Sequence, residues 1–421
     1  MRNVTGLQCR ECGESYPKRL IHACGLCFGP LDVAYDYAAI AKEVSKESIA
    51  CGPPTLWRYR ELLPIERDEC IIDIGVGFTP LLKADNLARE LKLKNIHVKN
   101  DSVNPTFSFK DRPSSVAVSK AIEFGSPAVG AASTGNLSGA MAAHAAKARL
   151  PCFIFIPEKL EMSKVAQTLA YGAHVIEVTG TYDQANRLAT EIALTSNIAF
   201  ANINVRPYYV EGSKTLVFEV CEQLGWRAPD HIIVPVASGA LLHAAWRGLK
   251  ELEEVGLIDK WDTRITAAQA EGCSPVVQAL LKGENEITPV EKPDTTCKSL
   301  AIGDPADGYY AIQAVRATKG TGQAPDDKQI LDGIKLLAKT EGVFTEPAGG
   351  TAVAALKQLV EDGEVERDEE VVLYITGNGL KTQESITPAL AKPFKIKPTL
   401  EDFKQLVAEL QTPGVNWLEG V

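Results

Sequence analysis

Asn104-Pro105-Thr106-Phe107-Ser108-Phe109-Lys110-Asp111-Arg112-Pro113 is a loop running into a helix, with a lysine at the junction. Pro113 suits the first turn, and Val116, Ala117, Ile122 and Phe124 supply apolar positions for a helix over 113–124. Upstream, 96–99 reads as a short strand. Downstream come a strand at 127–132, an Ala-rich helix at 137–149 and an apolar run at 152–156, as expected of a strand buried on both faces. Further strands are expected at 174–178, 199–203, 232–236, 265–270 and 371–375. Helices at 183–192, 212–224, 241–254, 327–339 and 351–361 lie between them. Such alternation predicts an α/β fold, with mostly parallel sheets covered by helices on both faces.

The rest of the composition narrows the function classes. A formal net charge of -10 argues against nucleic acid or an anionic membrane as partner, since both need a basic face. No apolar run approaches the ~18 residues of a membrane span, and no signal-peptide pattern is present, so the expectation is a cytoplasmic protein. In that reducing setting the ten cysteines read as thiols, not as a disulfide framework.

Four loops near the carboxyl ends of strands, where ligands of open α/β sheets sit, have unusual composition. Lys110 lies between Phe109 and Asp111, two residues after the small Ser108; an amine that attacks an aldehyde must be neutral, and burial against aromatic rings favours that form. Taken alone it is more readily an ordinary surface lysine, with Asp111 capping the helix. Ala132-Ser133-Thr134-Gly135-Asn136 offers hydroxyls and N–H groups to an anion at a helix start, though these are also ordinary N-cap residues. Pro235-Val236-Ala237-Ser238-Gly239-Ala240-Leu241 lets the backbone approach a phosphate closely, or is simply a tight turn. In Thr376-Gly377-Asn378-Gly379-Leu380-Lys381 the threonine is placed to meet a neutral ring nitrogen, unless Asn-Gly marks only a turn. Each loop is ordinary; the four in this order are not.

Together they resemble the fold-type II pyridoxal-phosphate enzymes, and Asn104 to Arg112 is most similar to the threonine-synthase branch of that family. The similarity continues through Gly77-Phe78-Thr79-Pro80-Leu81, Ser133 to Asn136, Tyr171-Gly172-Ala173, Glu211-Gly212-Ser213-Lys214-Thr215 and Thr376 to Gly379. The resemblance implies two open, mostly parallel sheets and a lyase. Lys110, beside Phe109, would carry pyridoxal phosphate as a Schiff base and shuttle protons. Asn136 would hydrogen-bond O3′, Thr376 the ring nitrogen, and Ala237, Ser238, Gly239, Ala240 and Leu241 the cofactor phosphate. The implied reaction turns O-phospho-L-homoserine and water into L-threonine and phosphate by γ-elimination and β-addition. Ser133, Thr134, Asn204, Arg206 and Lys214 would line the pocket for this phosphorylated amino acid. A cysteate synthase-like or threonine dehydratase-like reaction stays open, as does a silent binding protein that kept the fold. The family is commonly homodimeric. Phe107 departs from its pattern, standing where glycine is usual.

Cys9-Arg10-Glu11-Cys12 and Cys24-Gly25-Leu26-Cys27 have knuckle spacing for a structural zinc, with metal-free thiols as the alternative. The expected organisation is a cysteine ribbon and helical lead-in over 1–70, a large domain of 71–105 and 205–390, a small domain of 106–204 and an extension over 391–421. His144 and His243, in helices after the loops, read as packing residues.

Overall fold

The cysteine-bearing segment folds as an antiparallel ribbon of β1 (Val4–Cys9), β2 (Ser15–Tyr16) and β3 (Leu31–Tyr35), in the order β2-β1-β3. The computed structural model describes residues 3–158 and 162–410. After the ribbon, β4 (Leu81–Lys83) and β5 (Asn95–Asn100) pair antiparallel. The chain then leaves to build a fully parallel sheet from β6 (Val129–Ala132), β7 (Cys152–Pro157), β8 (His174–Val178) and β9 (Ala199–Phe200), ordered β8-β7-β6-β9. It returns with β10 (His231–Pro235), β11 (Arg264–Ala268), β12 (Gly322–Gln323) and β13 (Glu370–Ile375). These join the first pair in the order β12-β11-β10-β13-β5-β4, parallel except at β4. The two open, mostly parallel sheets of the sequence reading are therefore present.

Alternation of side chains explains why the central strands are apolar throughout. Ile232, Val234, Val372 and Tyr374 pack on one face with Leu242 and Leu249, while Ile233, Leu373 and Ile375 pack on the other with Val353 and Leu356. The edge strand β8 instead exposes His174 and Glu177, which discourages further strand pairing.

Three boundaries differ from expectation for local reasons. The strand at 199–203 stops at Phe200, because Asn204 Oδ1 accepts the Phe200 N–H at 2.8 Å and turns the chain. The helix expected from 212 begins at Arg206, since Pro207 fits the first turn. The helix expected from 351 begins at Pro347 for the same reason.

The chain forms two compact units, Met1–Ser385 and Ile386–Val421. In the second, the helix Leu400–Glu409 is capped by Thr399, whose hydroxyl accepts the Asp402 N–H at 3.1 Å. Residues 411–421 of the expected C-terminal extension lie outside the described residues. Among the described residues, no helix is long and apolar enough to cross a membrane.

Candidate active site

Local hydrogen bonds stitch the lysine loop to the end of β13. Asp111, the first residue of the helix Asp111–Glu123, reaches back to accept the Thr106 N–H at 2.7 Å and its hydroxyl at 2.9 Å. It ties down the loop instead of capping the helix. Burial pushes its carboxyl up to about 6, against the two Thr106 bonds. The Phe109 N–H donates to Thr376 O at 2.9 Å, and Ser108 bridges to Gly377, so Lys110 and Thr376 are neighbours by backbone pairing alone. Phe107 adopts φ 63°, a left-handed conformation for which glycine is the easy residue.

Beneath this loop, Arg112 is fully buried. It forks onto Asp101 at 2.6 and 2.7 Å and onto Glu219 at 2.5 and 2.8 Å. Glu219 also takes the Lys99 amine at 2.7 Å and the N–H groups of Phe78 and Thr79 at 2.6 and 3.1 Å. Burial acts to raise the Glu219 carboxyl, but Arg112 and Lys99 outweigh it and hold it down at about 2. Two motifs distant in sequence are thereby locked together.

Lys110 itself is half-buried, and among the described residues its amine forms no hydrogen bond or ion pair. It lies 4.7 Å from the Phe109 ring and 5.9 Å from the Tyr209 ring. Burial lowers its pKa to about 8, and the carboxylate of Glu346 opposes the shift. Glu346 is 3% exposed and is raised in turn by burial, while Asn136 Nδ2 donates to its two oxygens at 3.1 and 3.2 Å. Among the described residues, the Tyr209 hydroxyl is buried without a hydrogen-bond partner.

The other loops converge with unengaged polar groups. Among the described residues, no N–H from Ala237 to Leu241 donates to the main chain, and these amides open the helix Ala240–Glu254. Gly239 has φ 91°, and a Cβ there would come within 2.5 Å of the Asp307 carbonyl oxygen, so only glycine gives this turn. Amides exposed at the start of a helix form an anion site. Thr376 is a buried residue, and among the described residues its hydroxyl forms no hydrogen bond. Ser133 and Thr134 are half-exposed at the end of β6. A lysine amine, an anion loop and an unpartnered hydroxyl fit an aldehyde, a phosphate and a ring nitrogen on one cofactor.

In the ribbon, the Sγ atoms of Cys9, Cys12, Cys24 and Cys27 all lie within 4.8 Å of one another. Three of the pairs are at 3.4, 3.5 and 3.6 Å.

Residues 72–377 match the family described as "Pyridoxal-phosphate dependent enzyme". The chain is 39% identical to threonine synthase from Methanocaldococcus jannaschii over 405 residues, covering 96% of this chain and 99% of that one. It is 38% identical to threonine synthase from Methanosarcina acetivorans, with 95% and 98% covered. This chain belongs to the threonine synthases, within the pyridoxal-phosphate-dependent enzymes. The fold recurs in the processed form of threonine deaminase isoform 2 from Solanum lycopersicum, at a TM-score of 0.61 and 19% identity, covering 89% of this chain and 94% of that one.

Two residues expected in the substrate pocket of this threonine-synthase chain are engaged elsewhere. Lys214 is fully buried, pairs with Glu211 and Glu251 at 2.5 and 2.6 Å, and lies over the Tyr35 ring at 4.7 Å. Asn204 has both ends of its amide taken by the backbone of Phe200, Ala193 and Ile198. Both support the helix Arg206–Gln223 and its approach, so neither is free for a substrate. Arg206 is half-buried and paired with Asp307. His144 packs as expected: burial takes it down to about 4, and Nδ1 meets Ala140 O at 2.8 Å. Sequence reading missed Glu346, Tyr209 and Asp307. Glu346 had one local signal, the Pro347 that opens its helix.

Proposed function

We propose that this chain converts O-phospho-L-homoserine and water to L-threonine and phosphate, with pyridoxal phosphate carried on Lys110. The observation that carries the reading is the convergence of an unpartnered Lys110 amine, the Thr376 hydroxyl and the amide-lined 237–241 loop, in a chain colinear with threonine synthases. That full-length likeness favours this reaction over a cysteate synthase-like or threonine dehydratase-like one. When bound, the cofactor supplies an electron sink for carbanions beside the substrate's amino group.

The protein's own groups do the rest. The amides of Ser238 to Leu241 take the cofactor phosphate, and Phe109 packs beside the lysine. Thr376 meets the ring nitrogen with a hydroxyl, which leaves that nitrogen uncharged; Asn136, held by Glu346, turns its amide toward O3′. Lys110 Nζ, neutral in useful amount because burial has lowered its pKa to about 8, takes the proton from substrate Cα and then from Cβ. Phosphate leaves Cγ, Lys110 returns a solvent-exchanged proton to Cγ, water adds its hydroxyl at Cβ, and Lys110 finally returns a proton to Cα. Ser133, Thr134 and Arg206 receive the substrate phosphate, Arg206 by a forked pair. Phosphate release from O-phosphohomoserine tests the reading; none above background overturns it. In deuterated water the threonine formed carries deuterium at Cα and Cγ, and its absence there rules out this proton route.

Zinc in the ribbon belongs to the same proposal. Four sulfurs around Zn²⁺ at about 2.3 Å stand ~3.8 Å apart, close to the spacing of the thiol pairs. Protein purified without chelator then holds about one zinc, whereas less than roughly a tenth of an equivalent removes the metal. The resemblance also supports a cytoplasmic homodimer, each subunit built of the domain of 71–105 and 205–390 and that of 106–204; the solution mass reads the dimer.

A further inference from the structure

The mechanism leaves Asp307 without a role, yet its carboxylate is buried to 3%. Its main chain braces the anion loop: the Asp307 N–H donates to Ser238 O at 2.8 Å, and its carbonyl lies against Gly239. Two arginines hold its side chain. Arg206 binds one oxygen, and Arg10 Nη1 binds the other at 3.2 Å. Arg10 comes from outside the catalytic sheets, between Cys9 and Cys12. It also forks onto Asp32 at 2.6 and 3.0 Å and lies 4.2 Å from the Tyr310 ring centre. Its neighbour Glu11 accepts the Tyr310 hydroxyl. The cysteine knuckle thus presents two consecutive side chains to the elements that back the phosphate loop.

We propose that Arg10 is a positioning residue for the anion loop, and that metal in the four-thiol site is what holds it in place. The proposal rests on the zinc reading above. Short bonds already shape both knuckles: Gly13 N to Cys9 O at 3.1 Å, and Leu26 N to Cys24 Sγ at 3.3 Å. A metal cross-links Cys12, at the exposed end of the β1–β2 turn, to Cys9, Cys24 and Cys27. Without it the turn carrying Arg10 and Glu11 keeps its bonds to Pro30 and Asp32 but loses the cross-link to the second knuckle that holds Arg10 against Asp307. Asp307 then keeps only Arg206, which is drawn fully onto it and away from the substrate phosphate. The loop braced by Asp307 loosens at the same time. Metal occupancy, remote from the chemistry, therefore sets both the grip on the cofactor phosphate and the KM for the phosphorylated substrate.

The test compares wild type, Arg10→Ala and Arg10→Lys, each zinc-loaded and after reversible chelation. Readouts are zinc content, the pyridoxal phosphate dissociation constant by equilibrium dialysis, and KM separately from kcat. With zinc bound, Arg10→Ala keeps its metal but weakens cofactor binding and raises KM, each about tenfold, the loss of one charge-assisted contact, with kcat changed less. Arg10→Lys recovers part of the loss. Chelation weakens wild type by the same factor, adds nothing to Arg10→Ala, and is reversed by zinc. Cofactor binding and KM within twofold of wild type in Arg10→Ala overturn the role of Arg10. Losses that multiply when chelation is applied to Arg10→Ala overturn the coupling. Wild type that never takes up zinc overturns the metal reading itself, a failure visible in the metal analysis before any binding is measured.

Discussion

A lysine attacks an aldehyde only after shedding its proton, and Lys110 is arranged to do so near neutral pH. Burial takes its pKa to about 8, with Glu346 pulling the other way. Loading of metal-replete apoenzyme with pyridoxal phosphate should therefore speed up as pH rises through about 8 and then level off, followed by the visible absorbance of the lysine adduct. Lys110→Ala should show no such band. Glu346→Gln removes the one charge that favours the protonated amine, so its loading midpoint should fall below that of wild type, while the new amide oxygen can still accept from Asn136. A midpoint that rises or stays in place overturns the role given to Glu346. The two residues differ in how legible they were. Lys110 stood out because its neighbours in sequence form one loop. Glu346 acquires meaning from Asn136 and Lys110, which lie over two hundred positions away and reach it only through folding.

Elements were readable where periodicity is local, and misjudged where a single side chain decides the boundary. The buried strands β7, β10 and β13 fall within a residue of the expected bounds, because both faces are apolar. The end of β9 depends on Asn204 bonding back to Phe200, a contact no period announces. The same residue was expected at the substrate, as was Lys214: polar residues near a motif look alike in sequence whether they face a ligand or a buried acid. Arg112 shows the energetic stake. Replacing it with methionine leaves Asp101 buried without its counter-charge and Glu219 with Lys99 alone, so Arg112→Met should lose about 3–5 kcal/mol of stability, read as a lower thermal midpoint. A pH dependence accompanies it. Glu219 is held at about 2 in the folded chain and near the ordinary ~4.3 when unfolded. Its contribution is therefore complete above about pH 4.3 and lost as pH falls through about 2. The acid limb of the stability profile should be shallower in Arg112→Met than in wild type.

On the scale of the whole molecule, the site draws Asn136 from the end of one sheet's strand and Thr376 and the 237–241 loop from the other sheet. A ligand that touches all of them is bound only when both sheets are folded and aligned, so its binding energy becomes folding energy for the unit Met1–Ser385. At a hundred times its dissociation constant the cofactor adds about 2.7 kcal/mol, and the thermal midpoint should rise by several degrees and keep rising with the logarithm of its concentration. Gly239→Ala separates this from general tightening. The added Cβ meets the Asp307 carbonyl oxygen at 2.5 Å, in a backbone conformation alanine resists, so the loop must move. The variant should melt lower without cofactor, and at equal cofactor concentration its midpoint should rise far less than that of wild type. Equal rises in the two proteins would mean that the phosphate is held elsewhere, and the loop between β10 and its helix would lose its assignment.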